Sequence, residues 1–404
     1  MKALVFKDVG EIALEDVQEP ALKNPTDAIV KITMSAICGT DLHFVRGTIA
    51  DVKKGTILGH EGVGIVEKVG DQVRTIKVGD RVIVPSTIGC GKCDYCLKEL
   101  YSQCDNANPN GPDKGTAFYG GPAESGPFNG MQAEKVLVPY ADVSFIKIPH
   151  DMSDDQAILL SDILPTSYMA VEMADVKPDD TVAVFGCGPV GQLAIACLKK
   201  MNVKQIFAID RVPARLKMAQ SQGATVINFD EKDPVKELKK LTHEKGPTKI
   251  IDAVGIDAEQ PKGSFLADLK NSSEQNEFKE EVKKIAPKTN PHDGNWLPGN
   301  GPSQALRWAV KAVAKNGTIS IIGVYPELMN SFPIGEAMGK NLTIKMGNCN
   351  HRNYIPTLLE WVKNGSFNPL PFITKKIAFK DIVEAYKNFD KRDDNWIKVA
   401  LRLD

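Results

Sequence analysis

The stretch VAVFGCGPVGQLA, residues 182–194, decides the fold of this chain. A short run of strand-forming residues ends in a G-x-G-x-x-G pattern made by Gly186, Gly188 and Gly191, and a helical pattern follows directly. Glycines at these positions allow a tight turn and let the backbone approach a pyrophosphate, which then faces the N-terminus of the helix. The stretch therefore predicts the first strand, turn and helix of a dinucleotide-binding domain.

The next predicted strand, QIFAID, ends in Asp210. A carboxylate at this position accepts hydrogen bonds from both hydroxyls of the adenosine ribose and repels a 2′-phosphate, which favours NAD. Arg211 and Arg215 follow closely, and guanidinium groups are what a 2′-phosphate binds. We therefore predict NAD as the cofactor, with NADP as the alternative.

The pattern around this turn divides the chain into domains. Residues 163–344 alternate between strand and helix patterns, which predicts parallel βαβ units in a doubly wound sheet. Residues 1–162 contain short β-type runs separated by turn residues and predict a mostly β domain. Residues 345–404 are expected to return to that first domain as a helix and a strand. The polar residues 257–301 predict a solvated insertion with a charged helix in its middle, the alternative being a lid on the active site.

The composition narrows the class of ligand. The 404 residues carry 50 Lys and Arg against 51 Asp and Glu, a formal net charge of -1, which argues against nucleic acid or an anionic membrane as partner. No apolar run approaches the ~20 residues of a membrane helix, and the N-terminus lacks the pattern of a secretory signal. We expect a cytoplasmic protein that acts on a small molecule.

Four of the eight cysteines lie in CGKCDYCLKELYSQC, as Cys90, Cys93, Cys96 and Cys104. Without a secretory signal, such crowding indicates a metal site rather than disulfides. Four thiolates close a tetrahedral shell with no open position, which predicts a structural zinc lobe over residues 89–105. An iron–sulfur cluster is the alternative, because four thiolates also bind one.

A second group of candidate ligands is dispersed. The segment ICGTDLH contains Cys38, and GHEGVG contains His60; together they offer two ligands of an open catalytic zinc site that needs one more. Taken alone, each has a simpler explanation as a buried core residue. The segment SDILPT, residues 161–166, precedes a helical pattern, and its Asp162 reads locally as a helix cap.

The chain resembles the zinc-containing, medium-chain alcohol dehydrogenase family. Residues 59–73, GHEGVGIVEKVGDQV, match the signature of that family, and the four-cysteine lobe and the GCGPVG turn occur in the family's order. The resemblance implies an α/β protein with a GroES-like, mostly β catalytic domain, interrupted by a Rossmann coenzyme domain. LLSDILPTSYMAV resembles the glutathione-independent formaldehyde dehydrogenases and their bacterial relatives, in which an aspartate of this segment binds zinc.

The resemblance implies a role at the catalytic zinc for each candidate ligand. Cys38, His60 and Asp162 are expected to hold the catalytic zinc, so that a carboxylate takes the place of a third cysteine. Glu61 matches the acidic neighbour that enters the coordination of the metal when a water leaves. Asp162 therefore becomes a predicted ligand as well as a candidate cap.

The resemblance also implies a proton path and a cofactor site. Thr40 is expected to receive the proton of the substrate, and His43 to pass it on to solvent. Thr166 falls where a family threonine approaches the nicotinamide. The predicted cofactor-binding residues are Gly39, Thr166, Gly186, Gly188, Pro189, Val190, Gly191, Asp210, Arg211, Arg215, Val254 and Val324.

The expected function is that of a zinc-dependent oxidoreductase, which transfers a hydride from an alcohol or a hydrated aldehyde, formaldehyde included, to NAD. Two zinc ions per chain are expected, one catalytic and one structural. A polyol or threonine-type dehydrogenase is the nearest alternative, and a non-catalytic NAD-binding redox sensor is a more distant one. The resemblance also predicts a homodimer or a homotetramer.

Overall fold

The computed structural model describes residues 1–262, 272–392 and 395–403, and the chain folds into two compact units. The first unit is assembled from three separate parts of the chain and the second from two. The first comprises Met1–Thr166, Asn290–Trp296 and Asn348–Asp404, and the second comprises Ser167–Thr289 and Leu297–Gly347.

The first unit is built mainly of antiparallel strands. Its strands are β1 (Lys2–Asp8), β2 (Glu11–Asp16), β3 (Ala28–Ile37), β4 (Gly62–Val69), β5 (Arg81–Val84), β6 (Lys135–Val138), β7 (Ile146–Lys147), β14 (Lys375–Ala378) and β15 (Val399–Arg402). Strands β1 and β2 pair with each other, and the remainder form a seven-stranded sheet in the order β14-β15-β3-β4-β5-β7, with β6 also paired to β3. Its helices are α1 (Gly39–Arg46), α2 (Asp94–Leu97), α3 (Asp154–Ala157), α11 (His351–Lys363) and α12 (Ile382–Lys391), and α4 (Ile163–Met173) begins in this unit.

The centre of this sheet is β3, which pairs with β4, β6 and β15. Most of its side chains are buried, as expected for a strand with neighbours on both sides. Val30 and Ile32 pack with Val66, Val82 and Leu401 in one continuous apolar core. The C-terminal strand is thus part of the same core as the N-terminal strands.

The second unit contains a sheet of six strands: β8 (Thr181–Phe185), β9 (Gln205–Asp210), β10 (Thr225–Asn228), β11 (Lys249–Asp252), β12 (Thr318–Ile321) and β13 (Thr343–Met346). Their order in the sheet is β10-β9-β8-β11-β12-β13, and every neighbouring pair is parallel. Its helices are α5 (Pro189–Lys200), α6 (Pro213–Ser221), α7 (Pro234–Leu241), α8 (Ser272–Ile285), α9 (Gln304–Ala312) and α10 (Ile334–Gly339).

The strand order reverses between β8 and β11, and in open parallel sheets ligands bind beyond the carboxyl ends of the strands at such a point. Gly186 directly follows β8, and Asp210 is the last residue of β9. The predicted Rossmann sheet and the predicted mostly β domain are therefore both confirmed.

The expected polar insertion, residues 257–301, is only partly solvated. Residues 263–271 lie outside the described residues, and the charged helix predicted in its middle is α8. Residues 290–296 belong to the first unit, where Trp296 is 1 % exposed and its backbone N–H donates to Asp390 at 2.7 Å. Asp390 also pairs with the buried Arg46. The expectation of a solvated insertion is wrong at Trp296, and also at Phe278 and Ile285 of α8, which are each 2 % exposed.

The helices of both units are short. The longest described ones, α8 and α11, have 14 and 13 residues. No helix within residues 1–262, 272–392 and 395–403 combines the length and the apolar character that crossing a membrane requires.

Candidate catalytic metal site

Four buried side chains of the first unit converge on one point. The ligand atoms of Cys38, His60, Glu61 and Asp162 lie within 4.8 Å of one another. The Sγ atom of Cys38 is 3.8 Å from Oδ2 of Asp162, and Nε2 of His60 is 3.5 Å from the same oxygen. The structure therefore brings together the residues that the sequence analysis assigned to the catalytic zinc.

Each ligand stands at the beginning of an element of secondary structure. Cys38 is the N-cap residue of α1, His60 lies just before β4, and Asp162 immediately precedes α4. Gly59 has φ +92°, and a Cβ atom there would lie 2.4 Å from the side chain of Gln132. Only glycine lets the chain turn into His60 at this position.

Asp41 lies beside His60 and was assigned no role from the sequence. Its Oδ1 atom is 3.2 Å from Nδ1 of His60, and its Oδ2 atom accepts the backbone N–H of Cys38 at 2.9 Å. Burial lowers the pKa of His60, but Asp41, Cys38 and Asp162 raise it well above its ordinary value of 6.5. Asp41 thus leaves Nε2 of His60 as the nitrogen that faces Cys38 and Asp162.

Glu61 is fully buried and pairs with an equally buried lysine near the C-terminus. Its Oε1 atom accepts a hydrogen bond from Lys398 at 2.5 Å, and Lys398 also donates to the carbonyl of Ile37 at 3.0 Å. Burial raises the pKa of Glu61, an effect that Lys398 partly offsets. The Oε2 atom of Glu61 has no hydrogen-bond partner among the described residues, so one buried carboxylate oxygen remains for another ligand.

The donor set fits a zinc ion. Thiolate, imidazole and carboxylate are the groups that zinc binds, and three of them leave a fourth tetrahedral position for a substrate. Buried acidic groups and an orphaned oxygen of Glu61 favour a cation at their centre, because burying uncompensated negative charge is costly. Zinc bound by Cys38, His60 and Asp162 is therefore compatible with both the charge and the chemistry of the site.

The carboxylate of Asp162 is held by residues from other parts of the first unit. Burial raises its pKa, but His351 and His60 lower it well below its ordinary value of 3.8. Its Oδ1 atom is 2.7 Å from Nε2 of His351 and accepts a hydrogen bond from Ser86 at 3.1 Å. No sequence motif identified His351 or Ser86.

The predicted proton path begins on α1. Thr40 lies in the first turn of that helix, directly after Cys38 and Gly39, and His43 lies one turn further on. His43 is buried, and its Nδ1 atom is 2.9 Å from the hydroxyl of Thr48. Both residues thus share a short helix with a predicted zinc ligand.

The four lobe cysteines form a second cluster in the first unit. The ligand atoms of Cys90, Cys93, Cys96 and Cys104 lie within 4.8 Å of one another, and all eight cysteines of the chain are free. Burial raises the pKa of Cys90, but hydrogen bonds from the backbone of Lys92 and other groups lower it to about 7. Four thiolates complete a tetrahedral shell, which fits a closed, structural zinc site.

The glycine turn of the second unit has the geometry of a dinucleotide site. Gly186 has φ +85°, and a Cβ atom on it would lie 2.7 Å from the side chain of Val254. A Cβ atom on Gly191 would lie 1.9 Å from the carbonyl oxygen of Gly186. Pro189 opens α5 after Gly188, so the N-terminus of that helix is available to an anion.

The remaining predicted cofactor residues of the second unit lie near the carboxyl ends of the strands. Val254 follows β11 and Val324 follows β12, and the backbone of Val324 approaches Gly255 closely. The Oδ2 atom of Asp210 accepts the backbone N–H of Cys187 at 2.7 Å. Val190 lies in the first turn of α5.

Fold and site together define a class of protein: a two-domain dehydrogenase with a nicotinamide cofactor and bound zinc. Family models agree, since residues 24–150 match the alcohol dehydrogenase GroES-like domain and residues 189–263 match the zinc-binding dehydrogenase domain. The chain is 35% identical over 349 residues to the uncharacterized zinc-type alcohol dehydrogenase-like protein AdhB of Bacillus subtilis, covering 86% of this chain and 85% of that relative. The chain therefore belongs to the zinc-type alcohol dehydrogenase family.

Two further comparisons place the chain within that family. The alcohol dehydrogenase TADH from Thermus sp. ATN1 superimposes with a TM-score of 0.79 at 30% identity over 100% of both chains. A glutathione-independent formaldehyde dehydrogenase of Pseudomonas aeruginosa is 37% identical over 210 residues, 51% of this chain and 52% of that relative. The predictions of an oxidoreductase, of zinc and of a nicotinamide cofactor are confirmed.

The two clusters predict two zinc ions per chain, each removable by itself. Cys38→Ala should lose one ion and Cys104→Ala the other, because each substitution removes a thiolate from one cluster only. Cys197→Ala, at a buried cysteine of α5 outside both clusters, is the matched control and should retain both. Inductively coupled plasma mass spectrometry of the purified proteins measures the number of zinc ions per chain. A wild-type protein with a single zinc, lost in Cys104→Ala and kept in Cys38→Ala, would contradict the catalytic site.

Proposed function

We propose that this chain oxidises alcohols or hydrated aldehydes, formaldehyde among them, with NAD as the hydride acceptor. The observation that carries the proposal is the buried convergence of Cys38, His60 and Asp162 beside Glu61. When bound, zinc at these residues polarises a substrate oxygen and lowers its pKa, and NAD accepts the hydride.

The residues of α1 supply the proton transfer in this proposal. The hydroxyl of Thr40 receives the proton of the substrate oxygen, and His43 passes it towards solvent. A non-catalytic NAD-binding sensor has no need for such a pair. The presence of Thr40 and His43 on the helix that begins at Cys38 therefore supports an enzyme.

The substrate class is proposed from the identity of the third ligand. Asp162 stands where a relative with a third cysteine has a thiolate, and a carboxylate donates less electron density to zinc. We infer a more electrophilic zinc, suited to small oxygen-bearing substrates such as a hydrated aldehyde. The partial similarity to a formaldehyde dehydrogenase supports this choice over a polyol or threonine-type substrate.

The proposal predicts NADH formation without glutathione when the purified protein is given formaldehyde or short alcohols. Asp162→Ala should lower kcat/KM at least about 100-fold, because the site loses a zinc ligand. Asp151→Ala, at an exposed carboxylate of the same unit, is the matched control and should leave kcat/KM unchanged. The rate of NADH formation, followed by absorbance with formaldehyde, alcohols, polyols and threonine as substrates, gives kcat/KM for each protein. Turnover of polyols or threonine alone would overturn the proposed substrate class.

The choice of NAD over NADP is proposed from the partners of Arg211. Its guanidinium group lies 2.7 Å from Asp230 and 2.6 Å from Glu259, and it also stacks on the ring of Phe229. Two carboxylates neutralise the charge that a 2′-phosphate would need, while Asp210 ends β9 as a partner for ribose hydroxyls. Glu259 and Asp230 therefore support NAD.

The double substitution Glu259→Gln with Asp230→Asn should release Arg211 for a 2′-phosphate. The ratio of kcat/KM for NADP to that for NAD is expected to rise about 10-fold or more, as for one new charged hydrogen bond. Glu231→Gln is the control, since it removes an exposed carboxylate next to Asp230 without touching Arg211. Steady-state kinetics with both cofactors measures the ratio, and an unchanged ratio in the double variant would contradict this assignment.

A homo-oligomer is proposed from the free edge of the second sheet. Within the part of the chain that the structure describes, strand β13 pairs with β12 alone, and most of its residues are exposed. Three large apolar side chains on or near this edge are exposed: Ile334, Met338 and Met346. An edge strand with exposed apolar residues is a surface for pairing with a second copy of the same chain.

The double substitution Met338→Lys with Met346→Lys should convert a dimer to monomers, or a tetramer to dimers, because two charges would be buried in the interface. Val78→Lys, at an exposed apolar residue of the first unit, is the control and should leave the mass unchanged. Size-exclusion chromatography with light scattering measures the mass. A double variant with the wild-type mass would rule out this edge as the interface.

A further inference from the structure

The two oxygens of Asp162 face different surroundings. Oδ2 points to the predicted zinc ligands, 3.8 Å from the sulfur of Cys38 and 3.5 Å from Nε2 of His60. Oδ1 lies 2.7 Å from Nε2 of His351 and accepts a hydrogen bond from Thr166 at 3.4 Å. Ser86 donates a further hydrogen bond to Oδ1 at 3.1 Å. One oxygen is thus left for a metal, and the other is occupied by the protein.

His351 is itself held in place on its other side. It is buried, and its Nδ1 atom lies 3.1 Å from the hydroxyl of Thr87. The hydroxyl of Thr166 lies 3.2 Å from Nε2. The imidazole is therefore set between hydroxyl groups with one ring nitrogen directed at Asp162.

The position of His351 is not explained by the stability of its own helix. It is the first residue of α11, and its ring contacts Asp162, Thr87 and Thr166, which all lie outside that helix. A buried histidine that is directed at a predicted metal ligand is a candidate for a functional role.

We propose that His351 is a positioning residue that restricts Asp162 to binding the catalytic zinc through Oδ2 alone. The proposal rests on the proposed function, because it requires zinc at Cys38, His60 and Asp162. A carboxylate binds zinc through one oxygen or both, and an N–H group on Oδ1 removes the second choice. Groups that orient a metal ligand in this way typically contribute 10- to 100-fold to metal affinity.

The arrangement inverts the more usual one, in which a carboxylate orients a histidine that binds the metal. Here a histidine orients the carboxylate. The N–H of His351 also withdraws electron density from Asp162, so the ligand donates less to the metal. This strengthens the electrophilic character inferred above for the site.

Two amide substitutions test the inference in the full-length protein. His351→Gln places an N–H close to the position of Nε2, whereas the shorter side chain of His351→Asn leaves its amide near the position of Nδ1. Both are polar and differ by one methylene, so they form a matched pair. Zinc retained by the four-cysteine lobe of the same sample is the internal control that the first unit is folded.

The measurement is the rate at which a chelator removes each zinc, together with the visible spectrum after cobalt replaces the catalytic zinc. His351→Asn should release the catalytic ion roughly 10- to 100-fold faster than wild type, with shifted cobalt bands, while His351→Gln stays close to wild type. In both variants the ion of the cysteine lobe should be released at the wild-type rate.

Two results would overturn the inference while leaving the proposed function intact. One is wild-type release and an unchanged cobalt spectrum in His351→Asn. The other is equally fast release in both variants, since the N–H of Gln would then contribute nothing. A wild-type protein without a second zinc would instead remove the proposed function, and the inference would fall with it.

Discussion

The structure depends on one constraint: a thiol, an imidazole and two carboxylates from distant segments are buried at a single point of the first unit. Burying such groups is costly unless a cation compensates them. Lys398 pairs with one oxygen of Glu61 and His351 lies beside Oδ1 of Asp162, which leaves Oε2 of Glu61 and Oδ2 of Asp162 next to Cys38 and His60 as the donors for a metal. The proposed chemistry of this unit therefore depends on an ion held by these donors.

Secondary structure positions these ligands. Cys38 caps α1, His60 precedes β4 and Asp162 precedes α4, so each side chain is held by an ordered element on its C-terminal side. Rigid anchoring of this kind keeps the ligands within the narrow range of geometries that a metal tolerates. The β-rich unit thus holds the three short segments that contain Cys38, His60 and Asp162 in fixed positions.

The fold class and the metal lobe could be predicted from the sequence because the motifs that indicate them are local. The turn around Gly186 and the spacing of the lobe cysteines each lie within a few consecutive residues, and they predicted the Rossmann sheet and a metal lobe. His351 and Lys398 contact Asp162 and Glu61 across 189 and 337 residues, and a lone buried histidine or lysine has no local pattern. Trp296 was missed for a related reason, because a few buried apolar residues do not alter the polar composition of their segment.

The ion pairs of Arg211 could not be predicted from the sequence either, because its partners are distant in the chain. From sequence, Arg211 is simply a cation beside a ribose-binding carboxylate, whereas in the fold Asp230 and Glu259 neutralise it. Glu259 lies at the start of the insertion, so a segment expected to be solvated contributes to the proposed cofactor choice. The insertion thus contributes to both units, through Glu259 in one and Trp296 in the other.

A crystal structure of the zinc-loaded protein, with anomalous scattering recorded on both sides of the zinc edge, tests the proposed metal centre most directly. Two peaks per chain are expected, one within the four-cysteine lobe. The other should lie about 2.3 Å from Sγ of Cys38 and about 2.0–2.2 Å from Nε2 of His60 and Oδ2 of Asp162. A single peak confined to the lobe, or a second peak bound without Asp162, would contradict it.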